Sequence, residues 1–214
     1  AENDDPIPVT IDITAIYSRY IDPPVQEGAG ATTSTELVLT GTSGNDLFEF
    51  VGGPVAGAWI VKLNGVVQSV PSTTTAVRFD GLGGTDTVVF TGSAADDSVE
   101  LWPTRGVLSS INYTVTVENV ESITASGGGG NDAAILHDSA GDDTFTGRKA
   151  QSSLTGAGFN LVANAFETVE VRSEAGGYDQ ASLYDAAGDD TFTASHQSAK
   201  LTDGDYTIVA KSFD

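Results

Sequence analysis

An acidic phrase that returns at a near-constant spacing limits this chain more than any other feature. Its clearest copies are Ser139-Ala140-Gly141-Asp142-Asp143-Thr144-Phe145-Thr146 and Ala186-Ala187-Gly188-Asp189-Asp190-Thr191-Phe192-Thr193. Weaker copies are Ser93-Ala94-Ala95-Asp96-Asp97-Ser98-Val99-Glu100 and Thr42-Ser43-Gly44-Asn45-Asp46-Leu47-Phe48-Glu49. The last aspartate of each copy falls at Asp46, Asp97, Asp143 and Asp190, giving steps of 51, 46 and 47 residues. A second phrase, Gly-Gly-x-Asp, ends at Asp86, Asp132 and Asp179, and each of these precedes the next repeat aspartate by 11 residues. A fixed period with a fixed internal gap identifies a repeat protein, in which neighbouring units stack to bury a core that one unit could not form alone.

The residues between the phrases favour strands. Thr, Ser, Val and Asp are abundant and 25 residues are glycine, a composition suited to short strands joined by tight turns. The third unit divides into five strands, at 143–147, 151–155, 159–162, 168–172 and 180–183, with Gly156-Ala157-Gly158 and Glu174-Ala175-Gly176-Gly177 as turns. In the second unit the matching runs include 113–117 and 120–123, and the first carries extra apolar bulk at Trp59-Ile60-Val61-Lys62-Leu63. The expected fold is all-β: a parallel β-helix, or β-solenoid, of ~46-residue double-rung repeats with coils of about 20–25 residues. Phe48, Val99, Phe145 and Phe192 are expected to form one apolar column, and Leu39, Phe90, Leu136 and Leu183 another. A Greek-key β-sandwich also has short strands and many turns, but predicts no constant 11-residue gap, and is the alternative.

Gly44-Asn45-Asp46-Leu47-Phe48 and Gly129-Gly130-Asn131-Asp132 resemble haemolysin-type (RTX) repeats, and the whole unit is similar to those of large secreted and surface proteins of bacteria. The resemblance covers roughly residues 38–214 and implies a secreted β-solenoid. RTX repeats are tandem Gly-Gly-x-Gly-x-Asp nonapeptides that hold calcium in their turns. Here the phrases are isolated, and the fourth-position glycine is missing. Calcium takes six to eight oxygens, more than one aspartate and its turn carbonyls provide.

The metal candidates are therefore the acidic pairs, with calcium as the cation. Stacked coils would set Asp96, Asp142 and Asp189 in one ladder and Asp97, Asp143 and Asp190 in another. Like charges so arranged repel unless a cation neutralises them; the other reading is that each aspartate accepts N–H groups of its own turn. Thirty acidic residues against nine basic ones give a net charge of −21, which disfavours nucleic acid and anionic membrane surfaces as partners. No apolar run approaches the ~20 residues needed for a membrane-spanning helix. Enzymatic activity is not expected, because the acidic residues follow the repeat while catalytic groups would break it. A polysaccharide-active β-helix enzyme is the class to test, and the unrepeated candidates are Arg105, His137, Arg148 and His196.

Both ends shape the functional reading. With neither cysteine nor methionine present, Ala1-Glu2-Asn3-Asp4-Asp5-Pro6 suits the mature end left by a signal peptidase, so an extracellular or cell-surface location is expected. Residues 1–21 form an extended segment, 22–36 a Pro-, Gly- and Thr-rich linker, and 37–214 the repeat domain. Its threonines at 32, 33 and 35 and the sequon Asn112-Tyr113-Thr114 are candidates for glycan decoration. In the last unit, Tyr206-Thr207-Ile208-Val209-Ala210-Lys211-Ser212-Phe213-Asp214 matches residues 159–167, and the next strand is absent. Thr10-Ile11-Asp12-Ile13-Thr14 has the pattern of that strand, Thr168-Val169-Glu170-Val171-Arg172. The chain thus reads as a circularly shifted repeat, and the expected partner is itself. Val9, Thr10, Ile11, Asp12, Ile13, Thr14 and Ile16 of one copy would meet Tyr206, Ile208, Val209 and Phe213 of the next. Such a head-to-tail contact does not close on itself and builds a filament. A calcium-dependent adhesion or matrix module of a larger surface protein is the second expectation.

Overall fold

Alternating apolar and polar residues turn this sequence into strands with one buried face. Tyr113–Glu118, for example, reads YTVTVE, with Tyr113, Val115 and Val117 buried and Thr114, Thr116 and Glu118 outward. The computed structural model describes residues 35–213, so Val9 to Ile16 and most of the linker lie outside the described residues. An opening strand, β1 (Thr35–Thr40), leads into the first repeat, which holds β2 (Leu47–Val51), β3 (Ile60–Leu63), β4 (Val66–Val67), β5 (Thr74–Asp80) and β6 (Thr87–Thr91). The second holds β7 (Ser98–Trp102), β8 (Arg105–Ser110), β9 (Tyr113–Glu118), β10 (Ser122–Ser126) and β11 (Ala133–His137). The third holds β12 (Thr144–Gly147), β13 (Gln151–Gly156), β14 (Phe159–Asn164), β15 (Thr168–Arg172) and β16 (Gln180–Leu183). Then come β17 (Thr191–Ala194), β18 (Ser198–Thr202) and β19 (Thr207–Lys211). The five strands expected in the third repeat are all present.

The strands form two sheets, and the chain passes repeatedly between them in a β-solenoid of about five turns. The first sheet runs β1-β5-β9-β8-β7-β11-β15-β19-β18-β17, the second β16-β12-β13-β14-β10-β6-β2-β3-β4. Each repeat opens with a three-strand antiparallel meander in one sheet, such as β7-β8-β9. It then lays single strands in the other sheet and back in the first. Parallel neighbours are one turn apart: Phe48 lies beside Val88, Val88 beside Ile123, and Ile123 beside Leu161, steps of 40, 35 and 38 residues. The turn is longer than a plain coil because it carries an added hairpin.

Three passages between sheets per repeat is an odd number, and this overturns the expected columns. Successive meanders fall in opposite sheets: β2 to β4 and β12 to β14 in the second, β7 to β9 and β17 to β19 in the first. Phe48 and Phe145 therefore belong to one sheet, Val99 and Phe192 to the other. Leu39 and Leu136 are separated from Phe90 and Leu183 in the same way. The two ladders proposed for the acidic pairs are broken for the same reason.

Between the sheets lies a continuous apolar core, with Phe48, Phe50, Phe79, Phe90, Phe145, Leu101, Ile123, Leu136 and Leu161 fully buried. Phe48 stacks on Phe79 of the facing sheet at 4.9 Å between ring centres, and Phe50, Trp59 and Tyr113 form an aromatic cluster at 5.0–5.8 Å. Each such side chain contributes about 1.5–3 kcal/mol by leaving water. Between β3 and β4, Asn64 and Gly65 take φ of 52° and 76°, the left-handed pair that a two-residue hairpin turn requires. Phe192 breaks the pattern of its counterparts: Phe48 and Phe145 are 0% exposed, Phe192 60%. Phe145→Ala is therefore expected to cost about 3–5 kcal/mol of unfolding free energy and Phe192→Ala less than about 1 kcal/mol, measured by urea denaturation.

Candidate functional site

Where each of the first three repeats enters its first strand, a carboxylate sits at the corner. Asp46, Asp97 and Asp143 are 1–3% exposed. Each uses Oδ2 to accept both the N–H and the hydroxyl of the residue four before it: Thr42 at 2.6 and 3.0 Å, Ser93 at 2.7 and 3.1 Å, Ser139 at 2.7 and 2.9 Å. Those hydroxyls accept the N–H two residues on, from Gly44, Ala95 and Gly141. The corner is thus a closed local network, the turn role that short polar side chains suit.

A second set of bonds joins one turn of the solenoid to the next. The N–H of Asp46 donates to Asp86 Oδ1 at 2.7 Å, and that of Asp86 to Glu121 Oε2 at 2.8 Å. At the other edge the N–H of Asp97 donates to Asp132 Oδ1 at 2.8 Å, and that of Asp132 to Glu167 Oε2 at 2.7 Å. Asp143 donates likewise to Asp179 Oδ1 at 2.8 Å. One residue earlier the bond runs the other way: the side chains of Asn45, Asp96 and Asp142 accept the N–H of Thr85, Asn131 and Tyr178 at 2.8–2.9 Å. The Gly-Gly-x-Asp phrase and the repeat phrase before it are therefore two halves of one inter-turn clasp, joining aspartates 40, 35 and 36 residues apart.

Of the six acids considered for calcium, Asp96, Asp97 and Asp142 are turn acceptors with named partners, and Asp189 is exposed. Asp190 is half-buried and accepts the Tyr206 hydroxyl at 2.7 Å. Asp97 accepts the Tyr113 hydroxyl, and Asp46 the Asn64 amide at 2.6 Å. Among the described residues, Asp143 is the one repeat aspartate in a close group of three acids: Asp138, Asp143 and Asp179 each place an oxygen within 4.8 Å of the others. The sequence reading named neither Asp138 nor Asp179 as a ligand. The signal available was Asp138 itself, a carboxylate where the first two repeats carry Gly41 and Gly92.

Stacking carboxylates in a buried corner moves their acidity. Burial pushes Asp132 up to about 6, reinforced by the charges of Asp97, Glu167 and Asp96 and opposed by the N–H of Asp97. Asp86 rises for the same leading reason, whereas hydrogen bonds from Asn64 and Thr42 hold Asp46 below the usual carboxylate range. Tyr206 rises to about 12 through burial and the charge of Asp190.

The unrepeated residues sit elsewhere. His137 stacks on Trp102 at 4.8 Å and meets Glu100 at 2.8 Å, and Arg105 lies 4.5 Å from the Trp102 ring centre. Arg148 lies 3.6 Å from the ring centre of Tyr184, and His196 is exposed between β17 and β18. Arg105 and Arg148 are thus each held over an aromatic ring, a contact worth about 0.5–1 kcal/mol at exposed positions.

At the end of the solenoid, the residues expected to receive a neighbour are placed differently. Strand β19 lies inside the first sheet, between β15 and β18. Tyr206 and Ile208 are buried, while Val209 and Phe213 are half-buried, Phe213 packing on the core. The outermost strands there are β16 of the second sheet and β17 of the first. Gln180, Ala181, Ser182 and all four residues of β17 are exposed.

The Asp132 shift sets a pH dependence. A carboxyl raised on folding favours the protonated native state, so its contribution is full below the ordinary aspartate pKa and is lost as pH rises through about 6. Urea denaturation of the wild type should show stability falling between pH 4.5 and 7 from this group, and Asp132→Asn, which keeps an acceptor for the Asp97 N–H, should flatten that fall. An unchanged slope in the variant would remove Asp132 as its source. No family model matches this chain and no curated protein matches it either, so its function is inferred from its own corners and edges.

Proposed function

We propose that this chain is a structural subunit of an extracellular filament or surface assembly that polymerises head-to-tail. The observation that carries this reading is the pair of edges β16 and β17, which have no further strand beside them among the described residues, with Phe192 60% exposed where its counterparts are fully buried. An open sheet end of this kind is a template for strand addition.

The pairing rules of the fold say what fits there. Strand β15 lies beside β11, with Val169 opposite Ala134 and Val171 opposite Leu136. One repeat later, Ala181 and Leu183 of β16 take the places of Ala134 and Leu136. Ile11 and Ile13 carry the pattern of Val169 and Val171, so the 10–14 segment of a neighbour matches the free edge of β16. Likewise β16 lies beside β12, with Ala181 opposite Phe145 and Leu183 opposite Gly147. One repeat later the edge is β17, and the matching residues are Leu37 and Leu39 of a neighbour's β1. Among the described residues that strand has a free edge in the first sheet, with β5 as its one sheet neighbour. A joint of this kind continues both sheets at once and covers Phe192.

Sedimentation velocity and negative-stain microscopy test the reading. The full chain should form filaments whose abundance rises with concentration. Phe192→Asp, at an exposed position, should remain monomeric with an unchanged circular dichroism spectrum, and so should a chain lacking residues 1–21. A full-length protein that stays a sharp monomer at the highest soluble concentration contradicts the proposal, and points to a terminal strand that folds back on its own end.

A further inference from the structure

We infer that the outward face of the second sheet is a further interface between copies of this chain, one that pairs them side by side. The contact itself rests on that face alone; its reach along an assembly rests on the filament reading above. The two sheets differ in charge. Among the described residues, the strands of the first sheet carry ten charged side chains, including Arg78, Glu100, Arg105, Glu118, Glu170 and Arg172. Those of the second sheet carry two, Glu49 and Lys62, which pair with each other at 3.5 Å. In a chain with a net charge of −21, the strands from β6 across to β16 form a sheet face without a charge.

Hydroxyls and amides take the place of charge there. Strand register sets the outward residues in rows across the sheet, and the middle row runs Val89, Thr124, Val162, Ser153, Thr146, Ser182. The rows on either side of it, between β6 and β16, are Ser, Thr, Asn and Gln throughout. All of these side chains are exposed or half-buried. Each hydroxyl or amide offers both a donor and an acceptor, so a face made of them is complementary to a copy of itself. Polar side chains of this kind pack against identical neighbours in stacked sheets.

Net charge decides which face two copies can share. Copies of a strongly acidic chain repel one another, but charges more than about 8 Å apart are largely screened at physiological salt. Stacked sheets lie about 10 Å apart. With second sheet on second sheet, the charged outward side of each first sheet stands about 20 Å from the partner's nearest strands, well beyond that screening length. Pairing through the first sheet would instead bring Glu100, Glu118 and Glu170 of both copies together. Glu121 and Asp142 stand at strand entrances, on the border of the uncharged face, and make the contact sensitive to salt.

Area sets when the contact lasts. Strands about 4.8 Å apart and residues about 3.4 Å apart give the face from β6 to β16 roughly 400 Å², while a stable interface takes about 800 Å² from each partner. One face alone is too small for a lasting dimer. In the head-to-tail joint, β17 of one copy lies beside β1 of the next, and both belong to the first sheet. The second sheet therefore continues as second sheet, and its face runs on along one side of the filament. Across β2 to β4 the face stays neutral, with Leu47, Ile60 and Val67 exposed beside the Glu49–Lys62 pair. Many weak contacts then act together, and filaments pair where single copies do not.

Electron microscopy reads the lateral contact, and NMR reads the face. Raising salt from about 0.01 to about 0.15 M, which shortens the Debye length from about 30 to about 8 Å, should join single filaments side by side. Thr124→Glu, outward on β10, should leave filaments intact and cut side-by-side pairs about tenfold or more. Thr116→Glu, outward on β9 of the first sheet, should leave the pairs unchanged. Phe192→Asp, blocked at its end, tests the face without filaments. Its amide spectrum at rising protein concentration should shift in β10, β13 and β14 and not in β7 to β9, with a midpoint on the order of 1 mM, and adding Thr124→Glu should stop the shifts. If the full chain forms no filaments, the polymer reading fails and these shifts decide the face by themselves. Filaments that stay single in salt, or shifts absent from those three strands, would overturn the lateral contact. Shifts that appear there only with added chitin oligomers would overturn it too, and assign the face to a neutral glycan.

Discussion

The hydrogen bond from a corner aspartate's main-chain N–H to a carboxylate of the next turn is the interaction on which this fold depends. A solenoid must fix how far each turn slides along its neighbour, and apolar contacts between sheets are poorly directional. The bonds from Asp46 to Asp86 and from Asp97 to Asp132 fix that slide at the point where the chain enters a strand. Behind each, an apolar residue two positions on, such as Phe48 or Val99, enters the core. Charge-assisted bonds of this kind are about twice as strong as neutral ones. Their cost is the crowding of acids at the corners, visible in the raised Asp86 and Asp132.

The third repeat shows how one corner design is varied. Asp46, Asp97 and Asp190 have both a turn network or edge position and a side-chain donor, from Asn64, Tyr113 or Tyr206. Asp143 keeps the clasp to Asp179 but loses the donor, and Asp138 is added beside it. The corners and the sheet edges are different parts of the molecule: the corners hold one turn of the solenoid to the next, and β16 and β17 are the outermost strands among the described residues.

Much of this was legible in the residues. Period-two alternation and glycine turns located all five strands of the third repeat, but the 11-residue gap is not the clasp, which joins each Gly-Gly-x-Asp aspartate to the repeat aspartate before it rather than to the one 11 residues after it. The placement of those strands was not legible. Gly156-Ala157-Gly158, which bends β13 back into its own sheet as β14, looks in sequence like the glycine corners that carry the chain across to the other sheet. Taking it for a crossing changes the parity, and parity decides whether Phe48, Val99, Phe145 and Phe192 stack or alternate. It also decides which strands end the solenoid. The sequence pointed to Tyr206 and Ile208 at the joint because they come last in the chain, but the meander carries β19 back inside the sheet and leaves β17, which comes earlier, at the edge. The missing hydroxyl of Phe159 stood in plain view, yet had no meaning until Tyr113 was seen to reach Asp97.

Native-state hydrogen exchange at individual amides tests the inter-turn clasp most directly. If these bonds hold the turns in register, the amides of Asp46, Asp97 and Asp143 exchange only through global unfolding, as slowly as those of core strands such as β10 and β14. Exchange of these corner amides at the rate of the exposed turn amides around them would contradict it.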